Sequence, residues 1–296
     1  MSIRSDRPRN PSSSSYDLKI PPATYSEAKQ RPDFDVWEGT VVKELDTLQS
    51  MGVYELVRLP PGRKAIGNRW VFELKIDGEK LIPKGRLVTK GFHQIPHIDF
   101  GKTFAPVAKT ASIRLVAALA CQHNWFLQCF DATHAFLWGE LEEELFMAIP
   151  DSYCLHKDTR LPDGCADESG LVMWLLRSIY GLKQASNVWY KKLRSILERL
   201  GMRRSEVDHG LFSFFGRWED LDMQCLIVIH VDDGMGGSNC RQFLEWIKQE
   251  IMRKFGLKDL RDVAQFLGVQ FERDMATREL WMHQKDYIHT LLEDYN

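Results

Sequence analysis

The chain has 296 residues, 44% apolar and 27% charged, with a formal net charge of −2 at pH 7. That length allows one large domain or two modest ones, and the composition excludes a largely disordered, collagen-like or coiled-coil chain. Near-neutrality, summed over the whole chain, speaks against a nucleic-acid partner.

The first 33 residues carry seven Ser and five Pro without periodicity, so they read as a disordered linker. From Trp37 the pattern is helical, with Val41, Leu45 and Leu48 on one face and Gly52 as the stop. A strand over residues 69–76 leads to Asp77-Gly78, the strongest two-residue hairpin signal, and to a return strand through Arg86 and Thr89. Ser112 is expected to cap an apolar helix running to about His123. Residues 126–130 form a short strand ending in Asp131, and residues 151–170 read as a loop. An amphipathic helix follows from Ser186 to Leu200, with Gly201 as its stop. Residues 225–231 read as a buried strand ending in Asp232 and Asp233, and Gly234-Met-Gly-Gly237 reads as a turn. A further amphipathic helix spans about residues 240–255. Strand-like stretches at 265–273 and 280–283 then lead to a helix that begins at Gln284. Helices and hairpins alternate irregularly, which points to an α+β fold.

No apolar run approaches the roughly 18 residues of a membrane span. The cysteines at 121, 129, 154, 165, 225 and 240 show no Cys-x-x-Cys pair and no zinc spacing. With no secretory signal, they read as reduced thiols in an intracellular, cytoplasmic protein without a membrane partner.

Charge is unevenly placed. Residues 60–110 carry a net of +6, residues 131–170 a net of −8, and residues 174–204 a net of +7. Two basic segments flanking an acidic one suit a protein that holds phosphates on two sides of a carboxylate metal site.

The two apolar strands that end in Asp131 and in Asp232-Asp233 carry the chemistry. If they are neighbours, two or three carboxylates converge. Two such charges about 4 Å apart repel by roughly 1 kcal/mol in water and about 4 kcal/mol at an effective dielectric of 20. Such a site persists when protonated, paired or filled by a cation, and magnesium shared with substrate phosphates is the economical solution. Taken alone, Asp232-Asp233-Gly234 reads better as a hairpin turn.

The surrounding sequence changes that balance. In order come Gly67-Asn-Arg-Trp-Val-Phe72, Gly85-Arg-Leu-Val-Thr-Lys-Gly-Phe-His-Gln94, Thr103-Phe-Ala-Pro-Val107 and Ile113-Arg-Leu115. Then follow Asp131-Ala-Thr-His-Ala-Phe-Leu-Trp-Gly139, Ile179-Tyr-Gly-Leu-Lys-Gln-Ala185 with Trp189-Tyr190, His230-Val-Asp-Asp233 and Phe266-Leu-Gly268. Through these blocks the chain resembles the reverse transcriptase of copia-type LTR retrotransposons from about Trp37 to its last residue.

The resemblance implies a right-hand polymerase fold, with fingers and palm over residues 34–283 and the start of a truncated thumb over 284–296. It implies an RNA-directed DNA polymerase that binds an RNA or DNA template with its primer, and deoxynucleotides (dNTPs). Asp131, Asp232 and Asp233 are the implied catalytic aspartates. With the carbonyl of Ala132, they are the implied ligands of two Mg2+ ions. Phe136 is implied as an aromatic gate under the sugar, although without the resemblance a core phenylalanine is the better reading. Lys84, Arg86 and Lys90 are implied triphosphate contacts, with Tyr180 and Gly181 beside the incoming nucleotide. Lys183, Gln184, His230, Val231 and the Phe266-Leu267-Gly268 primer grip are the implied template and primer contacts.

The sequence departs from the family at His230, where tyrosine is usual, and at the glycine-rich segment 234–238, which replaces an apolar strand and is expected to loosen the hairpin. The chain is expected to stop inside the thumb as part of a Gag-Pol polyprotein, which an active element would place in a virus-like particle. The ribonuclease H and integrase segments of that polyprotein are expected but absent here. A catalytically inactive remnant that at most binds nucleic acid is the alternative.

Overall fold

A computed structural model describes residues 20–77, 80–153 and 170–295. Its elements, in order, are α1 (Tyr25–Lys29), α2 (Phe34–Ser50), β1 (Tyr54–Arg58), β2 (Asn68–Asp77), β3 (Lys80–Thr89), α3 (Thr110–Gln122) and β4 (Phe126–Ala132). They continue with β5 (Glu140–Ala148), β6 (Leu171–Arg177), α4 (Ala185–Arg199), β7 (Arg203–Arg204), β8 (Leu211–Trp218), β9 (Leu221–His230) and β10 (Asp233–Ser238). Last come α5 (Arg241–Met252), β11 (Leu257–Asp262), β12 (Gln265–Phe266), β13 (Val269–Asp274), β14 (Glu279–His283) and α6 (Lys285–Tyr295). The fold is therefore mixed α and β.

The centre is a six-stranded sheet in the order β11-β4-β10-β9-β8-β7, with antiparallel ladders throughout. Helices cover both of its faces, which explains why β9 reads as an unbroken apolar run rather than an alternation. Cys225, Ile227 and Ile229 point to a core built with Trp189 and Leu193 of α4 and Phe243 and Ile247 of α5. Leu226 and Val228 point to the other side, where Val116 and Ala120 of α3 join Phe266 and Phe271 of the β12-β13-β14 sheet. A third core gathers Trp37, Val41, Leu45 and Leu48 of α2 against Phe72 and Leu87 of the β2–β3 hairpin and Met173 of the β1-β6-β5 sheet.

Most elements stand where the periodicity places them, and five differences have physical causes. Within the stretch read as linker, Thr24 caps α1, Tyr25 and Ala28 are buried, and Arg31 pairs with Asp33 at 2.8 Å. Residues 1–19 lie outside the described residues, as do Gly78 of the hairpin signal, Cys154 and Cys165.

Ser112 does not cap α3, which begins two residues earlier. The Ser112 hydroxyl is instead taken by Asp208 from across the fold, which also accepts from the Lys109 N–H just before the helix at 2.8 Å. The stretch 265–273 is not one strand but a hairpin, turned by Leu267 at φ +51° and Gly268 at φ +76°. The strand expected to run through Val231 ends at His230, because Val231 turns to φ +59°.

The largest difference concerns Gly234-Met-Gly-Gly237, which is not a turn but most of β10, a central strand between β4 and β9. Its glycines are packing devices. A Cβ on Gly234 would lie 2.0 Å from the Phe130 ring, and Cβ atoms on Gly236 and Gly237 would press on Leu244 of α5 and Val116 of α3. Tertiary contact overrides the poor strand propensity of glycine here.

Candidate active site

The register of the central sheet brings the aspartates together. Asp233, first residue of β10, stands opposite Asp131 on β4 and opposite His230 on β9. Val231 and Asp232 form the turn between β9 and β10, and the Ala132 N–H donates to the Asp232 carbonyl at 2.8 Å. Asp131, Ala132 and Asp232 line one wall of a cavity of about 390 Å³. Asp233 lies beside this wall rather than in it.

The carboxylates are electrostatically crowded. Burial raises the pKa of Asp232, and the charge of Asp131 adds to the rise. Asp233 is pushed up to about 6 by burial, then by Asp232 and Asp131, while His230 pulls the other way. Asp232 and Asp233 therefore resist ionising, and a cation beside them would remove that resistance. Among the described residues no group of three His, Cys, Asp or Glu side chains stands assembled around a metal position. The donor set itself fits a hard divalent cation, because Asp131 and Asp232 line one cavity beside Ala132.

The β2–β3 hairpin cations Lys75, Lys84 and Arg86 line the same cavity. Burial lowers the pKa of Lys84, and the positive charges of Arg86 and Lys75 lower it further. Arg86 pairs with Glu73 at 2.6 Å and lies over the Tyr180 ring at 5.6 Å, yet its buried Nε has no hydrogen-bond partner. A wall of mutually repelling, partly desolvated cations with an unmet donor suits an anionic ligand. Phe136 completes the cavity from a 3-10 turn, Ala135–Trp138, and meets Tyr180 edge-on at 5.6 Å.

Other sequence candidates have different placements. Lys90 lies outside this cavity, its side chain against Gly67 and its N–H donating to the Gly67 carbonyl at 2.7 Å. Gly181, at φ +90°, does allow a close backbone approach, but the approaching chain is Thr89 of β3. A Cβ on Gly181 would lie 2.2 Å from the Thr89 carbonyl, and one on Gly91 would lie 2.1 Å from the Gly181 carbonyl.

Gln184 is 1% exposed, and its amide bonds Gln94, the Asp99 carbonyl and Glu143, so it fastens two loops together and is not free to meet a template. The Lys183 N–H donates to the Gln94 side chain, and its ammonium lies 4.5 Å from the Phe100 ring centre. His230 carries a buried Nδ1 without a partner. Phe266 is buried beside Cys129, Val228 and Met235, away from the cavity, with Leu267 and Gly268 in the turn that follows.

Sequence reasoning missed Glu44. It lies on the buried face of α2, lines the same cavity and accepts from the Leu87 N–H at 3.4 Å. Its spacing from Val41 and Leu48 places it on the apolar stripe, a signal that a search for apolar residues alone passes over. Lys43, His134 and Lys258 also line the cavity unforeseen.

Comparison with known proteins identifies the family. The family model described as reverse transcriptase (RNA-dependent DNA polymerase) matches residues 51–296. The chain is 33% identical over 302 residues to the retrovirus-related Pol polyprotein from transposon TNT 1-94 of Nicotiana tabacum, covering 99% of this chain and 22% of that protein. It is 31% identical over 287 residues to the Pol polyprotein from transposon RE1 of Arabidopsis thaliana, covering 95% of this chain and 18% of that protein. It thus spans about a fifth of the length of these relatives. The chain belongs to the reverse transcriptase (RNA-dependent DNA polymerase) family and is of the copia type carried by retrotransposon Pol polyproteins.

Proposed function

We propose that the chain is the core of an RNA-directed DNA polymerase that adds deoxynucleotides to a primer 3′-hydroxyl on an RNA or DNA template. The β2–β3 hairpin serves as fingers, the six-stranded sheet as palm, and α6 as the start of a thumb. The observation that carries the reading is a single cavity lined both by crowded carboxylates and by crowded cations. Phosphoryl transfer by positioning and charge neutralisation needs both at once.

Asp131 and Asp232, with Asp233 beside them and the Ala132 carbonyl, would hold a pair of Mg2+ ions. Magnesium held there would supply Lewis-acid activation of the primer hydroxyl and charge neutralisation for the leaving pyrophosphate. Lys84 and Arg86 bind and orient the triphosphate, and the unmet Nε of Arg86 is the donor that a phosphate oxygen would take. Phe136, braced by Tyr180, lies under the sugar and leaves no space for a 2′-hydroxyl. His230 at the end of β9, and Val231 in the turn that follows, orient the primer end against Asp232.

Primer extension on a poly-rA/oligo-dT duplex with magnesium tests the reading. The wild type is expected to incorporate dTTP, and Asp232→Asn to lose at least about a hundredfold in rate. Equal incorporation by both removes the carboxylates from the reaction, and no incorporation by either overturns the proposed activity.

A further inference from the structure

Between His230 and Asp232 stands a conformation that a β-branched side chain avoids. Val231 lies at φ +59°, in the left-handed region where Cβ crowds the carbonyl that follows. Such a residue persists only where its surroundings over-determine it. The ladder between β9 and β10 does not do this, because the paired register begins at His230 and Asp233 and leaves Val231 outside it.

The holding contact comes from α4. The Trp189 indole, 1% exposed, donates from Nε1 to the Val231 carbonyl at 2.7 Å. Trp189 is itself fixed: its ring meets Phe255 edge-on at 4.9 Å, and the next residue, Tyr190, donates to the His209 carbonyl at 2.7 Å. On the other side of the turn, the Ala132 N–H holds the Asp232 carbonyl. The strained residue is therefore clamped between a rigid helix and the strand that carries Asp131.

We infer that Trp189 is a positioning residue for the primer-extension reaction: its indole N–H latches Val231 in the left-handed conformation and so aims Asp232 at the cavity. This inference rests on the polymerase reading above. It assigns the tryptophan a role that its burial alone would leave to core packing. Without the donor, only the Ala132 contact is left against the crowding at Val231, and the turn relaxes toward negative φ, swinging the Asp232 carboxylate away from Asp131. Nucleotide binding depends on the hairpin cations and is untouched.

The test is a pair of substitutions. Trp189→Phe keeps a ring against Phe255 and deletes the donor, and a benzothiophene analogue of tryptophan at this position deletes only the N–H should the phenylalanine variant unfold. Either change is expected to lower kcat for primer extension about tenfold, with KM for the deoxynucleotide held within about twofold. Adding Val231→Gly is expected to restore most of the loss, because glycine enters the left-handed region without crowding. A packing role predicts no such rescue. Selective valine labelling gives a second readout by nuclear magnetic resonance, in which removal of the donor is expected to shift the Val231 backbone coupling and carbonyl signal out of their left-handed values. A Val231 that stays left-handed without the donor, or a kcat loss that Val231→Gly leaves unrepaired, overturns the latch. A wild type that extends no primer overturns the polymerase reading instead, and the resonance measurement then decides the latch by itself.

Discussion

Glu44 should make the protein more stable in acid than in mild base, against the usual behaviour of carboxylates. Its side chain is 6% exposed. Burial pushes its carboxyl from 4.5 up to about 7, against the pull of the Leu87 N–H and the charges of Lys84 and Arg86. Below pH 4.5 the folded and unfolded chains both keep the proton. Between pH 4.5 and 7 the unfolded chain releases a proton that the folded chain retains, so stability falls as pH rises through that window and levels off above it. The loss accumulated above pH 7 is about 3 kcal/mol. Glu44→Gln keeps an oxygen for the Leu87 N–H and cannot ionise. At pH 8 it should therefore be more stable than the wild type by up to about 3 kcal/mol, a rise in Tm on the order of 5 °C. At pH 4.5 the two should coincide. Thermal unfolding followed by circular dichroism from pH 4.5 to 8.5 reads both curves. If the two Tm profiles run parallel across that range, Glu44 is ionised in the folded chain throughout, with Lys84 and Arg86 outweighing its burial, and the reasoning fails.

Three further substitutions probe the cavity lining and β10. Phe136→Ala opens space beside Tyr180 and should admit ribonucleotides, lowering sugar discrimination at least about tenfold in single-nucleotide incorporation; unchanged discrimination removes Phe136 from that role. Lys84→Gln should raise the KM for deoxynucleotide about tenfold while changing kcat little, and should flatten the dependence of KM on salt. A kcat effect at constant KM would place Lys84 with the transition state instead. Gly234→Ala puts a Cβ 2.0 Å from the Phe130 ring and should cost about 1–3 kcal/mol in urea unfolding. Phe130→Leu in the same chain should return part of that cost. An unaltered midpoint in the single variant would mean that β10 tolerates side chains on that face.

How much of this was legible in the sequence depended on how local the cause was. The apolar run of β9, the stripes of α4 and α5, and the pairing of β2 with β3 come from short-range pattern, and the structure follows them. The strand character of 234–238 does not, because it depends on Phe130, Leu244 and Val116, which reach the glycines from three other elements. The same holds at Ser112, whose hydroxyl is drawn away from the helix start by a carboxylate 96 residues away. At the candidate site, the order of the motifs located Asp131, Asp232, Phe136, Lys84 and Arg86 on one cavity. Motif membership gave position along the chain but not the direction of a side chain, so Lys90 and Gln184 face the protein itself. Glu44 escaped notice because a charge on an apolar stripe looks like noise until its neighbours are known.

Gly91 and Gly181 meet backbone to backbone, and Thr89 bonds the Tyr180 carbonyl through both its N–H and its hydroxyl. The consequence is mechanical. The base of the cationic hairpin is riveted to the segment that braces Phe136, with no side chain between them to act as a bearing. On the polymerase reading proposed above, a hairpin that tilts to grip a triphosphate would carry Tyr180 with its base and narrow the space under the sugar in the same stroke. Grip on the phosphates and scrutiny of the sugar are then one motion, and a side chain at either glycine would uncouple them.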